Sequence, residues 1–119
     1  LGSTSRPNRA RASIEGMLCG LAAGVDALRA AGISPHRLLL IGGAAQNEAV
    51  PAVAAHVFDV PITVPAASEY VADGAARQAA WALTGVRPQW PVATTATMDT
   101  AHVQEIMRAY AAASGTAAS

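Results

Sequence analysis

Four consecutive branched apolar residues, Leu38, Leu39, Leu40 and Ile41, run straight into Gly42 and Gly43. The polar pair Gln46 and Asn47 follows, and a new apolar-periodic segment begins after it. An unbroken aliphatic run suits a strand covered on both faces, as in a parallel α/β sheet, whereas a half-solvated strand alternates. Residues 37–47 (RLLLIGGAAQN) therefore predict a buried strand, a glycine turn and a helix start. Glycines at the carboxyl end of a strand let the backbone reverse tightly and leave its amides unshielded by any Cβ. The following helix start offers unpaired N–H groups and a partial positive charge. A phosphate fits such a turn, but so does a plain chain reversal, and the turn alone does not separate the two.

The segments on either side share the α/β pattern. Over residues 8–31, Ile14, Met17, Leu18, Leu21, Val25 and Leu28 recur at three- and four-residue steps, one stripe on a long helix that Gly32 and Pro35 end. Gly16, Gly20 and Gly24 share a face of that helix, at a cost of about 1 kcal/mol each relative to alanine, which predicts close packing against a neighbouring element. Val50, Val53, Ala54, Val57 and Phe58 mark a second helix, with Pro51 tolerated in its first turn. Ile62, Thr63 and Val64 read as a short strand closed by Pro65, after which Ser68 is expected to cap a third helix with Val71, Ala75, Ala79 and Leu83 on its inner face. Gly85 closes that helix.

Short connections between these elements predict two parallel strands joined by a right-handed crossover. A two-stranded sheet leaves open edges unless more sheet lies alongside, and the chain begins with Leu1 rather than Met. A piece of a longer protein is the expectation. Downstream, Trp90 in the proline-bracketed RPQWP loop is expected to lie on the core, followed by a threonine-rich spacer. Asp99 then caps a predicted last helix over residues 100–113, with Val103, Ile106, Met107 and Tyr110 on one face. Residues 114–119 are expected to be disordered.

Composition removes several function classes. Eight arginines balance eight carboxylates without any run of like charge, so nothing tracks a nucleic-acid backbone. Lysine is absent altogether, which excludes a phosphate site of the GxxxxGK[ST] kind. Neutralisation of a bound phosphate must then come from amides, arginine, a metal ion or another segment. Cys19, alone within an apolar helix, reads as a small core residue, and His36, His56 and His102 lack partners at metal-ligand spacing. The apolar run over residues 17–25 is far too short to span a membrane. With neither a membrane nor a signal peptide indicated, a cytoplasmic protein is expected.

Three local patterns occur in an order that resembles one family. Residues 8–16 (NRARASIEG) resemble the "xLARAxLEG" helix start of the carboxyl-terminal domain of the FGGY carbohydrate kinases. Residues 41–47 (IGGAAQN) are similar to the family's "GGA/GxxxN" nucleotide turn, and residues 73–79 (DGAARQA) to its "ALGAAxLA" helix. Arg9 stands where the family pattern is apolar and Asp73 where it has leucine. Within the family, the alanine-rich style and the downstream Trp90, Pro91 and Tyr110 look most like the bacterial xylulose kinases.

The resemblance implies part of a ribonuclease-H/actin-like ATPase fold, the second of two lobes that close on a cleft for sugar and ATP. On that basis residues 1–85 belong to the nucleotide-binding lobe, residues 86–113 form a loop and helix packed on it, and residues 114–119 are a tail. Gly42, Gly43 and Ala44 would present amides to the phosphates of ATP or ADP, with Asn47 at the adenine end. Mg-ATP would phosphorylate a sugar, D-xylulose first, with glycerol, gluconate and ribulose as alternatives. The sugar site and the catalytic aspartate would lie on the first lobe, so no catalytic residue and no metal ligand is assigned here. The chain alone is expected to be inactive. A different class of function also stays open, a non-catalytic oligomerisation or regulatory module built on a kinase core, for which a homodimer is the expected assembly. A dinucleotide-binding reading is weaker, because no GxGxxG follows the strand and Val64 leads into Pro65 rather than an acidic residue.

Overall fold

The computed structural model describes residues 4–115. The predicted residues of the tail beyond Gly115 lie outside that range, and Ser114 ends a helix.

Helix α1, Arg6–Ala30, begins at Ser5, whose side chain accepts from the Asn8 amide at 3.3 Å, and Pro7 sits in the first turn where its missing N–H is harmless. It ends in a Schellman motif. Gly32, at φ +86°, lets its own amide reach Arg29 O at 2.9 Å and the Ile33 amide reach Leu28 O at 3.0 Å. Strand β1, Leu38–Leu39, is followed by a 3-10 turn, Gly43–Gln46, and helix α2, Ala49–Val57. Strand β2 is Ile62–Pro65 and helix α3 Tyr70–Thr84, which stops at Gly85 with φ +71°. Strand β3, Thr94–Met98, and helix α4, Gln104–Ser114, complete the chain.

The sheet runs β1-β2-β3, with Leu38 opposite Ile62 in a parallel pair and Ile62 opposite Met98 in an antiparallel one. The expected parallel crossover is present. The threonine-rich spacer, however, is a third strand, because β-branched threonines fit the pleat and Thr95 Oγ1 donates to Val64 O at 2.9 Å. A register shift between Val64 and Pro65 accommodates the proline that cannot donate to the ladder. The helix predicted after Asp99 starts later, at Gln104. Residues 100–103 instead satisfy the carboxyl end of α2, whose last carbonyls have no partner within the helix. Ala101 N reaches Ala55 O and Val103 N reaches His56 O, both at 2.8 Å, and Thr100 Oγ1 reaches Phe58 O at 2.7 Å. His102 Nδ1 lies 3.0 Å from Val57 O.

One core fills the space between α1, α2, α4 and one face of the sheet. Leu18, Cys19 and Ala22 of α1 meet Val50, Val53, Ala54 and Val57 of α2 and Ile62 of β2, with Ile106, Met107 and Tyr110 of α4 packed over them. Burial pushes the Cys19 thiol up from its ordinary pKa, with the nearby Glu15 carboxylate adding to the effect, so the side chain stays a neutral apolar filler.

Several packing expectations come out differently. The aliphatic run expected to be a buried strand forms only the two residues of β1, with Leu39 51% and Ile41 48% exposed, because β1 is an edge strand of the sheet and its outer side has no partner among the described residues. The α3 face expected to point inward is open: Val71 is 85% and Leu83 87% exposed, and no residue of this helix is buried. Nothing among the described residues lies on that face. What α3 does hold is the loop after it, through Arg77, which sits over the Trp90 ring at 5.6 Å and donates to Trp90 O at 3.0 Å. Trp90 therefore packs on α3 rather than on the core. The Gly16, Gly20 and Gly24 face is likewise open, with only Tyr110 Oη, 3.7 Å from the place of a Gly20 Cβ, close to it. Gly16→Ala and Gly24→Ala are accordingly expected to stabilise this chain by roughly 0.5–1 kcal/mol each, read as a raised urea midpoint, since helical glycine costs that much and neither Cβ meets an atom within 4 Å.

Arg29 ties α1 to the α2–β2 loop, donating to Asp59 at 2.6 Å and to Asp26 at 3.1 Å. The hydrogen bond from Arg29 holds the Asp59 carboxyl below its ordinary value. A depressed carboxylate stabilises the fold above its unfolded pKa of about 3.9 and loses that contribution as pH falls through the folded pKa. Both side chains are more than a third exposed or close to it, so the effect is screened and about 0.5–1 kcal/mol is expected. Urea unfolding of Asp59→Asn should show that deficit at pH 7 and converge with the parent chain as the solution is acidified toward pH 2.

Candidate functional site

Parallel β1 and β2 end side by side, and the segments that leave their carboxyl ends must diverge to reach α2 and α3. In open α/β sheets that divergence makes the ligand crevice. Here it opens a cleft of about 450 Å³ between the glycine turn, Ile41, Gly42, Gly43 and Gln46, and the opposite wall, Pro65, Ala67, Ser68, Glu69 and Tyr70.

Gly42 shapes the first wall. Its φ of +100° and ψ of 171° belong to a region that only glycine occupies readily, and a Cβ built there meets no atom within 4 Å. The space beside the backbone is open, as it must be if a ligand is to approach. The first amides of the 3-10 turn, those of Gly43 and Ala44, have no acceptor within the turn, whereas Ala45 N already bonds to Gly42 O at 3.1 Å. The helix start expected directly after the glycines is thus a 3-10 turn, with α2 beginning only at Ala49.

Of the predicted residues, the structure brings Gly42 and Gly43 to the cleft wall. Ala44 is exposed in the turn but does not line the cleft. Asn47 lies outside it as well, and its Oδ1 accepts from the Ala49 amide at 3.0 Å, which starts α2. Gln46 lines the cleft in its place. The opposite wall was missed by sequence reading, yet a signal existed: two parallel strands in succession place the loop after the second beside the loop after the first. Ser68 does not cap α3 as expected, since the helix starts one residue later with Glu69 at the N-cap. Ser68 Oγ donates to the Asp73 carboxylate at 3.0 Å, in the first turn where a negative charge is favourable. The Tyr70 hydroxyl donates to Ala66 O, which braces this wall.

No arginine lines the cleft. Among the described residues no group of three His, Cys, Asp or Glu side chains is placed to hold a metal ion, and no helix is long and apolar enough to cross a membrane. A second cavity of about 190 Å³, beside Asp26, Arg29, Asp59 and His102, is bounded by the Arg29–Asp59 ion pair that ties α1 to the α2–β2 loop and by the Arg29–Asp26 pair within α1.

A cleft at the carboxyl ends of parallel strands, with Gly42 in a glycine-favouring conformation on one wall, is where open α/β sheets place their ligand crevice. The C-terminal domain of the FGGY family of carbohydrate kinases matches residues 2–83. The chain belongs to this family. Among solved structures, the crystal structure of xylulose kinase from Bifidobacterium adolescentis is similar to it with a TM-score of 0.77 and 40% sequence identity over 96% of this chain. The chain spans 23% of that kinase's length. A search of curated proteins returns no match. The fold is accordingly that of a sugar-kinase C-terminal domain, of the actin-like ATPase kind, and xylulose-kinase-like within the family.

Proposed function

We propose that this chain is the nucleotide-holding part of a kinase that phosphorylates D-xylulose to D-xylulose 5-phosphate, acting with an upstream sugar-binding lobe of its parent protein. Mg-ATP supplies the phosphoryl group. The observation that carries this reading is Gly42, held at φ +100° in the turn that follows β1, with open space beside it. The turn fits phosphate oxygens, because unshielded amides can donate to them without a clash. On this reading Mg arrives with the nucleotide and further cations come from elsewhere in the parent protein; among the described residues no arginine lines the cleft. Asn47 serves at the adenine end by fixing the start of α2, with Gln46 facing the ligand. D-xylulose rests on the 40% identity to a xylulose kinase. We place the parent protein in the cytoplasm, where ATP is available.

The catalytic aspartate is assigned to the upstream lobe, as the family resemblance implies. The exposed Val71 and Leu83 face of α3 is assigned to the same upstream lobe. Coupled-enzyme assays check the placement of the base and the choice of sugar: the 119-residue chain alone should give no ADP with any sugar, and the parent protein should prefer D-xylulose over glycerol, gluconate and ribulose. Turnover by the short chain would overturn the placement of the base. Preference for another sugar would overturn the substrate.

A further inference from the structure

Glu69 is the one acidic residue on the cleft wall. Among the described residues its carboxylate has no hydrogen-bond or ion-pair partner, although its own backbone carbonyl accepts from the Asp73 amide at 2.9 Å. The neighbours are already committed, Ser68 to Asp73 and the Tyr70 hydroxyl to Ala66 O. The Glu69 side chain is exposed at the cleft, and on the proposed reading of the opposite turn a triphosphate lying against this carboxylate would be repelled.

We propose that Glu69 is a specificity-determining residue that accepts the vicinal ribose hydroxyls of the bound nucleotide, so that the cleft selects a ribonucleotide. The inference rests on the reading of this cleft as the nucleotide site. A carboxylate has acceptor capacity only, on two oxygens, and a cis-diol offers two neutral O–H donors at matching separation. Acidic residues hold ribose in this way at the ends of strands in other α/β nucleotide folds. With the phosphates at Gly42 and Gly43 on one wall, the sugar of the nucleotide is the part that can face the other wall without charge repulsion. The cleft volume of about 450 Å³ accommodates part of a nucleotide of this kind.

Calorimetric titration of the chain and of Glu69→Gln with ATP and with 2′,3′-dideoxy-ATP, each with and without Mg, tests this. The side chain of Glu69 caps nothing, so the variant is expected to fold, checked by an unchanged far-UV CD spectrum and urea midpoint. The parent chain should bind ATP about tenfold more tightly than the dideoxy analogue, and Glu69→Gln should lose that preference by weakening ATP alone. If both proteins bind ATP and the analogue with the same ratio, the ribose role is overturned while the nucleotide site stands. If the loss in Glu69→Gln is equal for both nucleotides and vanishes without Mg, the carboxylate serves the metal instead, and the ribose role is again overturned. If the parent chain binds neither nucleotide, the nucleotide reading of the cleft falls, and the ribose role with it.

Discussion

Replacing Leu18 by alanine is expected to destabilise the chain by about 3 kcal/mol, the largest effect of any single substitution considered. Leu18 is fully buried, at 0% exposure, where α1 packs on α2, in the core cluster that also holds Ala22, Val53, Ala54, Val57 and Ile62. Its truncation removes the transfer free energy of the lost atoms and leaves a cavity that helix-bound neighbours cannot collapse to fill. Domains of this size hold about 5–15 kcal/mol in total, so the variant sits near the edge of folding. Urea unfolding should show the midpoint falling by roughly 1–2 M at unchanged slope. Leu83→Ala is the matched control. The same chemistry at 87% exposure should change stability by less than about 0.5 kcal/mol. Equal losses at the two positions would mean that α3 is packed in solution and that the core is not where the structure puts it.

Gly42→Val is expected to cost about 1–3 kcal/mol of stability and to abolish measurable nucleotide binding. The stability loss is backbone strain, because φ +100° with ψ 171° is closed to a β-branched residue and no atom stands in the way of the Cβ. The binding loss is separate: the added side chain fills the space beside the turn through which a phosphate approaches. Gly43→Ala separates the two effects. Gly43 does not have a positive φ and its Cβ would also meet open space, so stability should hold while affinity falls by about tenfold or more. Thermal unfolding and titration with Mg-ADP read these directly. Unchanged affinity in both variants would leave the glycines a purely structural role in the chain reversal.

Much of this could be read from the chain. The aliphatic run ending in Gly42 located β1 but not its exposure, the α1 stripe contained the buried Leu18 but also the half-exposed Met17, Leu21 and Leu28, and Gly32 and Gly85 marked two helix ends. These are local signals, period and backbone conformation, and local physics decides them. What escaped was relational. Thr94–Met98 is a strand because β2 needs a partner, not because its own sequence alternates in hydrophobicity. Residues 100–103 stay irregular because the carbonyls of α2 claim their donors, a demand set more than 40 residues away in sequence for Thr100 and His102. Glu69 and Tyr70 join the site only once β1 and β2 lie side by side. The α3 stripe was correctly seen as apolar, yet it is open, since periodicity reports a face that wants a partner and not whether this chain supplies it. Asn47 shows the reverse case, a residue that matches a family pattern but whose carbonyl oxygen is engaged with the Ala49 amide.

The most direct test of nucleotide binding is an amide NMR titration of this chain with Mg-ADP. Shifts concentrated at Gly42, Gly43, Ala44 and Gln46, with smaller ones at Glu69 and Tyr70 across the cleft, are the expected result. A folded spectrum in which these amides stay still, or in which shifts gather around Arg29, Asp59 and His102 instead, would contradict it.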